Sequence, residues 1–390
     1  MRLCIVSQEY PPVTDYWGGI GTQYGRLGPA LAGLGHEVHA VVLAPTESPA
    51  PDSCQGVSVH PLVRPRMWPW FAWAWARRVD GFLRELGEFD VVLAPDFRSE
   101  AAVYARHQRS GPLVTHLLTS LAQLLSLRPG LRWRERHGPG VQISLALERR
   151  QARHSAALLA PGSAVLDWAR SLWSLDGIPS QVLPLAIDVQ AVRRDATGAL
   201  PEGFPRGGGP VVSLASRLDG HKGAQHLVSA MHRVWRRHPE AQLAFIGRDA
   251  PWRRGMMSDH LRSLAGDRVD QVHVLGYQPP ESYFSAVAAS DVVAIPSLWE
   301  SFCLAAVEAM ALGRPVIGTR GHGFSEFIVE GQNGLLVDRG SVDQLADALA
   351  TLLDDAQLRA RLGARAQTTA EGLDAERLAP RYVEVLSHLV

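Results

Sequence analysis

The chain has almost no lysine. Of its 39 basic residues among 390, all are arginine except Lys222. A coding bias toward arginine explains the general pattern, so position 222 stands out as one that needs an ammonium. An ammonium is a compact point charge on a flexible stem, whereas a guanidinium is a wide planar fork. Chance survival is the competing reading. Cysteine is scarce too: Cys4, Cys54 and Cys303 are odd in number, far apart and without metal-ligand spacing. That argues against a disulfide framework and fits reduced thiols in a cytoplasmic protein. No run approaches the ~18 apolar residues of a membrane span. The apolar run after Met1 is too short for a signal peptide and reads as a first strand. Neither sign of charge dominates, and the formal net charge is zero, so nothing favours nucleic acid or an acidic polymer as partner. There is no Gly-x4-Gly-Lys-Ser/Thr run, so Lys222 is not a P-loop lysine.

What the chain does have is alternation. Hydrophobic residues make up 46% of it, enough for two or three domain cores at this length. Short β-rich runs at 2–7, 37–43, 56–63, 90–95, 112–117, 157–161 and 182–187 alternate with helical patterns. A second series follows at 210–216, 241–247, 272–277, 291–296, 315–319 and 334–337. Most are continuous, as strands covered on both faces must be, which is the pattern of parallel α/β sheets. Between the series, the Gly- and Pro-dense stretch from Arg193 to Pro210 marks a linker. The sequence therefore predicts an α/β protein with Rossmann-like domains at 1–190 and 210–365 and a linker at 191–209. The helical tail, 366–390, could pack on either domain, including a return to the first.

The segment 295–319 is the richest in chemistry. A strand ends at Pro296, a turn carries Glu300, a helix starts near Cys303 and stops at Gly313, and another strand follows. Open α/β sheets bind ligands at the carboxyl ends of their strands. Here that end offers the Glu300 carboxylate, the free N–H groups of a helix start and, about one and a half turns on, Glu308. Such N–H groups suit a phosphate or sugar hydroxyls, and a carboxylate suits a vicinal diol. Upstream, Arg217 and Lys222 lie five positions apart on a Gly-containing turn after an apolar strand and suit a diphosphate. Two solvated glutamates beside an ordinary helix are the plainer alternative.

Taken in order, these motifs resemble the retaining glycosyltransferases of family 4. Glu300 and Glu308 match their E-x7-E, and Arg217 and Lys222 their R-x4-K. Gly247, Gly276-Tyr277 and the run Gly331, Asn333, Gly334 match later landmarks. Glu9-Tyr10-Pro11-Pro12, Gly18-Gly19-Ile20-Gly21 and Gly35-His36-Glu37-Val38 match the amino-terminal ones. The resemblance implies the GT-B fold, two Rossmann-like domains facing a cleft, and a nucleoside-diphosphate sugar, UDP-sugar favoured, as donor. It implies that Arg217 and Lys222 neutralise the diphosphate, that Glu308 holds the ribose and that Glu300 holds a sugar hydroxyl. Main-chain N–H groups of Phe302, Cys303 and Leu304 would bind sugar and phosphate. The backbone at Tyr277 would read the base, Gly247 would end a donor-side strand, and Gly19 and Gly21 would admit the donor phosphate. With no Asp-x-Asp motif, no metal or other cofactor is expected. Gly19-Ile20-Gly21 also imitates a dinucleotide fingerprint, but about ten residues separate it from the first strand, against a nicotinamide enzyme.

Three departures bear on specificity. Cys303 stands where the family usually has glycine, and a side chain there narrows the donor pocket. His322-Gly323-Phe324-Ser325-Glu326 replaces Gly-Gly-x-x-Glu. The family's cleft histidine aligns with Leu118, which leaves His116 as a strand histidine and suits a donor lacking a polar C6 group. For the acceptor, Glu9, Asp15, Asp96 and Glu100 lie on loops expected to surround one mouth, which suits a small, cationic acceptor such as an aminocyclitol of an antibiotic pathway. Solvated loop acids are the alternative. The tryptophan-rich run Trp68 to Trp75 reads as a membrane-surface contact, which suits a cell-envelope or lipid-linked acceptor, or as a helix packed on the sheet or on a second subunit. A sugar-nucleotide epimerase and an idle nucleotide-sugar-binding protein are the rival functions.

Overall fold

A computed structural model describes residues 1–11, 13, 14, 18–44, 53–63, 65, 70–127, 136–252 and 255–389. They form two units. Residues 1–186 and the helix Ala375–Leu389 make the first, and Ile187–Asp374 the second.

Among the described residues the first unit is built on an eight-stranded sheet. In chain order its strands are β1 (Arg2–Ser7), β2 (Glu37–Ala44), β3 (Ser53–Cys54), β4 (Val57–Val63), β5 (Val91–Pro95), β6 (Leu113–His116), β7 (Ala157–Ala160) and β8 (Ser180–Val182). The spatial order is β3-β4-β2-β1-β5-β6-β7-β8, and every pair except β3 with β4 is parallel. β5, Val-Val-Leu-Ala-Pro, is buried at all five positions, because helices cover both faces of a parallel sheet. The last strand differs from its expected position. It ends at Val182, since Pro184 has no N–H to give a ladder. Residues 183–187 instead run buried as irregular chain, where the Tyr382 hydroxyl donates to the Pro184 carbonyl at 2.9 Å. The tail helix is thereby fixed to the first unit, and the buried Gln23 amide donates to the same Tyr382 hydroxyl at 3.3 Å.

The second unit is built on β9 (Val211–Ala215), β10 (Gln242–Ile246), β13 (Val272–Gly276), β14 (Val292–Ala294), β15 (Val316–Thr319) and β16 (Leu335–Val337), with a small hairpin of β11 (Pro251–Trp252) and β12 (Gly255–Met256). The six-stranded order is β13-β10-β9-β14-β15-β16, all parallel. Its core gathers Val212, Leu214, Phe245 and Ile317 from the sheet with Leu227, Met231 and Trp235 from the helix Ala224–Arg237. Part of the stretch expected as linker is helical. Asp188 caps the helix Val189–Asp195 by accepting from the Ala191 N–H at 2.7 Å, and Arg193 pairs with Glu371 at 2.7 Å.

The tryptophan run divides in the helix Phe71–Leu86. Trp75 is fully buried in the core, whereas Trp70 and Trp73 are 52% and 37% exposed. The Arg77 guanidinium lies 4.9 Å from the centre of the Trp73 ring. Trp68 and Asp15 lie outside the described residues. Among those described, no helix is long and apolar enough to cross a membrane.

Candidate active site

In the second unit the loops after β9 and β14 bring the sequence's two cations and first carboxylate together. After β9 the chain turns through Arg217 and Asp219 into a short 3-10 turn, Gly220–Lys222, and then into the helix Ala224–Arg237. Gly223 between them has φ +76°, a left-handed conformation that glycine adopts without strain. A Cβ there would lie 2.0 Å from the Pro296 carbonyl oxygen. The Lys222 loop therefore sits against the backbone of the Glu300 loop. Across that contact Lys222 Nζ donates to Glu300 Oε1 at 2.6 Å. Ser297 Oγ donates to the same oxygen at 2.6 Å. Ser297 was not singled out in the sequence, although it lies three positions before Glu300.

The pair is buried, with side-chain exposures of 17% and 8%. Burial works to raise the Glu300 pKa, but the Lys222 ammonium outweighs it and holds the carboxyl below its usual range. Burial likewise works to lower the Lys222 pKa, and Glu300 reverses that, so the ammonium is held above its usual value. Both groups are therefore charged at neutral pH. Arg217 is near enough for its charge to act on Lys222, and its Nη2 lies 3.3 Å from Asp219 Oδ2.

Cys303 precedes the helix Leu304–Ala311 at φ +80°. A side chain in that conformation is strained by about 1–3 kcal/mol. Its thiol is pushed well above its usual pKa by burial and then by Glu300, so it stays protonated and is no nucleophile. Phe302 places its ring in the core, 5.1 Å from the Phe327 ring, and offers the site only its backbone. Glu308 is 8% exposed and accepts from the Tyr283 hydroxyl at 3.4 Å. At the neighbouring strand ends, the Gly247 N–H donates to the Gly276 carbonyl at 2.9 Å. Tyr277 is 61% exposed, with the Arg248 guanidinium 5.1 Å from its ring centre. The second unit thus presents two cations, an open helix start and two carboxylates along adjacent carboxyl ends of one parallel sheet.

The first unit gives the expected acceptor acids structural work. Glu9 Oε2 accepts from the Gly18 and Gly21 N–H groups at 2.6 and 3.3 Å. It thereby caps the helix Gly19–Gly33, the element expected to admit the donor phosphate at Gly19 and Gly21. Asp96 is buried, and its Oδ1 accepts from the Leu118 and Thr119 N–H groups at 2.9 and 3.1 Å. Glu100 is buried and accepts from the Gln8 N–H at 2.9 Å. Leu118 is itself buried. His116 is fully buried beside Tyr24 and Tyr382, with ring centres 6.0 and 6.3 Å away, and burial lowers its pKa to about 3. A further acid, Glu148 in the helix Pro139–His154, carries no sequence signal. It accepts from the Leu121 N–H at 2.6 Å and the Ala122 N–H at 3.2 Å.

Burial raises these acids to about 7 for Asp96, about 8 for Glu100 and about 8 for Glu148, against their hydrogen bonds, which act the other way. From about pH 5 to about pH 8 these three acids therefore hold protons that the unfolded chain has released, and their contribution to stability falls as pH rises. Neutral His116 acts the other way up to about pH 6.5. Thermal melting should occur at a lower temperature at about pH 8.5 than at about pH 6.5, and Glu148→Gln should narrow that difference. A difference unchanged by Glu148→Gln would contradict the assignment.

Two family patterns match the chain. The one described as "Glycosyl transferases group 1" covers residues 201–369, and "Glycosyltransferase Family 4" covers residues 17–191. A D-inositol 3-phosphate glycosyltransferase of Corynebacterium glutamicum (strain R) is 39% identical over 155 residues, 39% of this chain and 37% of that protein. The chain thus spans little more than a third of the length of that relative. A phosphatidyl-myo-inositol mannosyltransferase of Mycolicibacterium smegmatis is 28% identical over 377 residues, 94% of this chain and 88% of that one. The crystal structure of Anabaena Alr3699/HepE in complex with UDP superposes with a TM-score of 0.72 at 20% identity, covering 100% of both chains. The architecture is the GT-B fold, and each half of the chain is similar to one of these two glycosyltransferase family patterns.

Proposed function

We propose that the chain moves a sugar from a nucleoside-diphosphate sugar, preferably a UDP-sugar, to a hydroxyl of a cyclitol-type acceptor, with retention at the anomeric carbon. The observation that carries this is the buried Lys222–Glu300 pair, 2.6 Å apart, beside Arg217 and the start of the helix Leu304–Ala311. Breaking the bond between the anomeric carbon and the phosphate oxygen builds negative charge on the diphosphate and positive charge on the sugar ring. Fixed cations and helix N–H groups in a dry site stabilise the first without reorganising. Before the donor binds, Lys222 and Glu300 neutralise each other. The arriving diphosphate then draws on Lys222, and Glu300 takes a sugar hydroxyl. The acceptor oxygen bonds to the anomeric carbon on the face that the phosphate leaves, and the departing phosphate oxygen takes the acceptor's proton. Arg217 and Lys222 supply the positive charge that a metal would otherwise bring, so transfer should persist in excess EDTA.

The inositol named in both relatives supports a cyclitol acceptor, whether phosphorylated or lipid-linked. The cationic aminocyclitol has weaker support, because Glu9, Asp96 and Glu100 each commit one carboxylate oxygen to backbone N–H groups. A mass-spectrometric screen of UDP-, GDP- and dTDP-sugars against inositol 3-phosphate, phosphatidylinositol and an aminocyclitol tests the reading. It expects a product heavier by one glycosyl unit, with the donor's anomeric configuration by NMR. Release of an altered free nucleotide sugar without acceptor would favour an epimerase instead.

Glu308→Ala should weaken UDP binding by roughly 10-fold or more, since hydrogen bonds to a charged group contribute about 1.5–3 kcal/mol. Unchanged UDP affinity in a calorimetric titration would remove Glu308 from the ribose.

A further inference from the structure

Two rings beside Glu300 have no part in the diphosphate chemistry. Trp299 precedes Glu300 in the loop after β14, and His322 lies in the loop after β15. Their ring centres are 4.3 Å apart, with the planes inclined at 52°. The contact is held from both sides. The Gly323 N–H donates to the Glu300 carbonyl at 3.1 Å. A Cβ at Gly323 would lie 2.5 Å from the Phe302 backbone, so the His322 loop rests directly on the backbone of the Glu300 loop. Trp299 Nε1 and His322 Nδ1 are both buried without a hydrogen-bond partner. Such orphaned atoms destabilise a fold unless something supplies the missing partner. Here one lies on the residue before Glu300 and the other on the loop that rests on the Glu300 backbone.

We propose that Trp299 and His322 form a sugar subsite next to Glu300, the indole taking the apolar face of the transferred sugar ring and the imidazole one of its hydroxyls. The proposal rests on the glycosyltransferase reading and deepens it by naming residues that choose among donor sugars. The chemistry favours a hydroxylated ring over a phosphate. Burial lowers the His322 pKa, as does Arg339, while Glu300 acts the other way. A neutral imidazole has one donor and one acceptor nitrogen, which matches a hydroxyl and offers a phosphate no charge. An aromatic face with a few fixed polar groups is the usual composition of a small-molecule site.

The test uses the full chain carrying His322→Gly, His322→Gln, Trp299→Ala or Trp299→Phe, with melting temperature as the folding control. UDP affinity should stay within about 2-fold of wild type. At the same time kcat/KM for the sugar nucleotide should fall roughly 10-fold, and the preference between two UDP-sugars differing only in the sugar should shift. The milder variants, His322→Gln and Trp299→Phe, should lose less. Unchanged donor preference and kcat/KM in all four variants would overturn the subsite. A loss of UDP affinity in parallel with kcat/KM would also overturn it, since that would mean the rings only support the loops. Lys222→Ala serves as the separating control. If it retains full transfer, the glycosyltransferase site itself is misassigned; if it loses transfer while the ring variants behave as wild type, only the subsite fails.

Discussion

Lys222→Ala should lower kcat by about 10²–10³-fold, the range found when one fixed donor to a developing oxyanion is removed. The argument lies in the geometry. Nζ sits 2.6 Å from Glu300 in a buried pair, so the ammonium is already positioned and largely stripped of water before the donor arrives. Truncation also leaves the buried Glu300 carboxylate without its counter-charge, held by the Ser297 hydroxyl. Breaking a buried pair in this way destabilises by about 3–5 kcal/mol. The melting temperature should therefore drop alongside kcat, and the double variant Lys222→Ala/Glu300→Gln should regain stability without regaining rate. Lys222→Arg separates charge from shape. It keeps the charge, but the wide guanidinium has to fit a space closed by Glu300, Ser297 and the Gly223–Pro296 contact, and a loss of roughly 10-fold or more is expected. Wild-type turnover in the alanine variant would refute the leaving-group role. Wild-type turnover in the arginine variant would mean that the lone lysine survived by chance.

Gly223→Ala should damage both stability and activity. The backbone at φ +76° costs an L-residue about 1–2 kcal/mol. In addition, the new methyl group would start 2.0 Å from the Pro296 carbonyl oxygen, so one loop has to move. The displaced loop carries Ser297 and Glu300. A melting temperature at least ~4 °C lower is expected, with a fall in kcat at temperatures where the variant is still folded. An alanine variant that melts and turns over like wild type would show that the two loops are not held by this contact.

The donor-side half of the account was legible in the sequence because its residues fall in two short segments on adjacent strand ends. Periodicity alone places Arg217, Lys222 and Glu300 at carboxyl ends of strands, and parallel topology brings those ends together. The strands were legible because continuous apolar runs have few other uses. Residues 183–187 look like such a run, yet Pro184 and the cover of a helix some 200 residues later make them irregular buried chain. The first unit was harder to read for the same reason of distance. Glu148 and Gln151 reach the loop after β5 from 50 positions away, and no local pattern marks them. Asp96 and Glu100 were read as acids around a mouth, since sequence does not distinguish a carboxylate facing solvent from one capping buried N–H groups. His322 was legible only as a departure from the family pattern. Its contact with Trp299 required the β15 loop to be placed on the β14 loop.

The central claim is that Arg217, Lys222 and the start of the helix Leu304–Ala311 bind the diphosphate of a nucleotide sugar. Calorimetric titration of the wild-type chain and of Arg217→Ala/Lys222→Ala with UDP and with uridine tests it most directly. The wild type should bind UDP far more tightly than uridine, and the double variant should lose most of that difference while binding uridine as before. Equal affinity for UDP and uridine in the wild type, or an undiminished preference for UDP in the double variant, would contradict the claim.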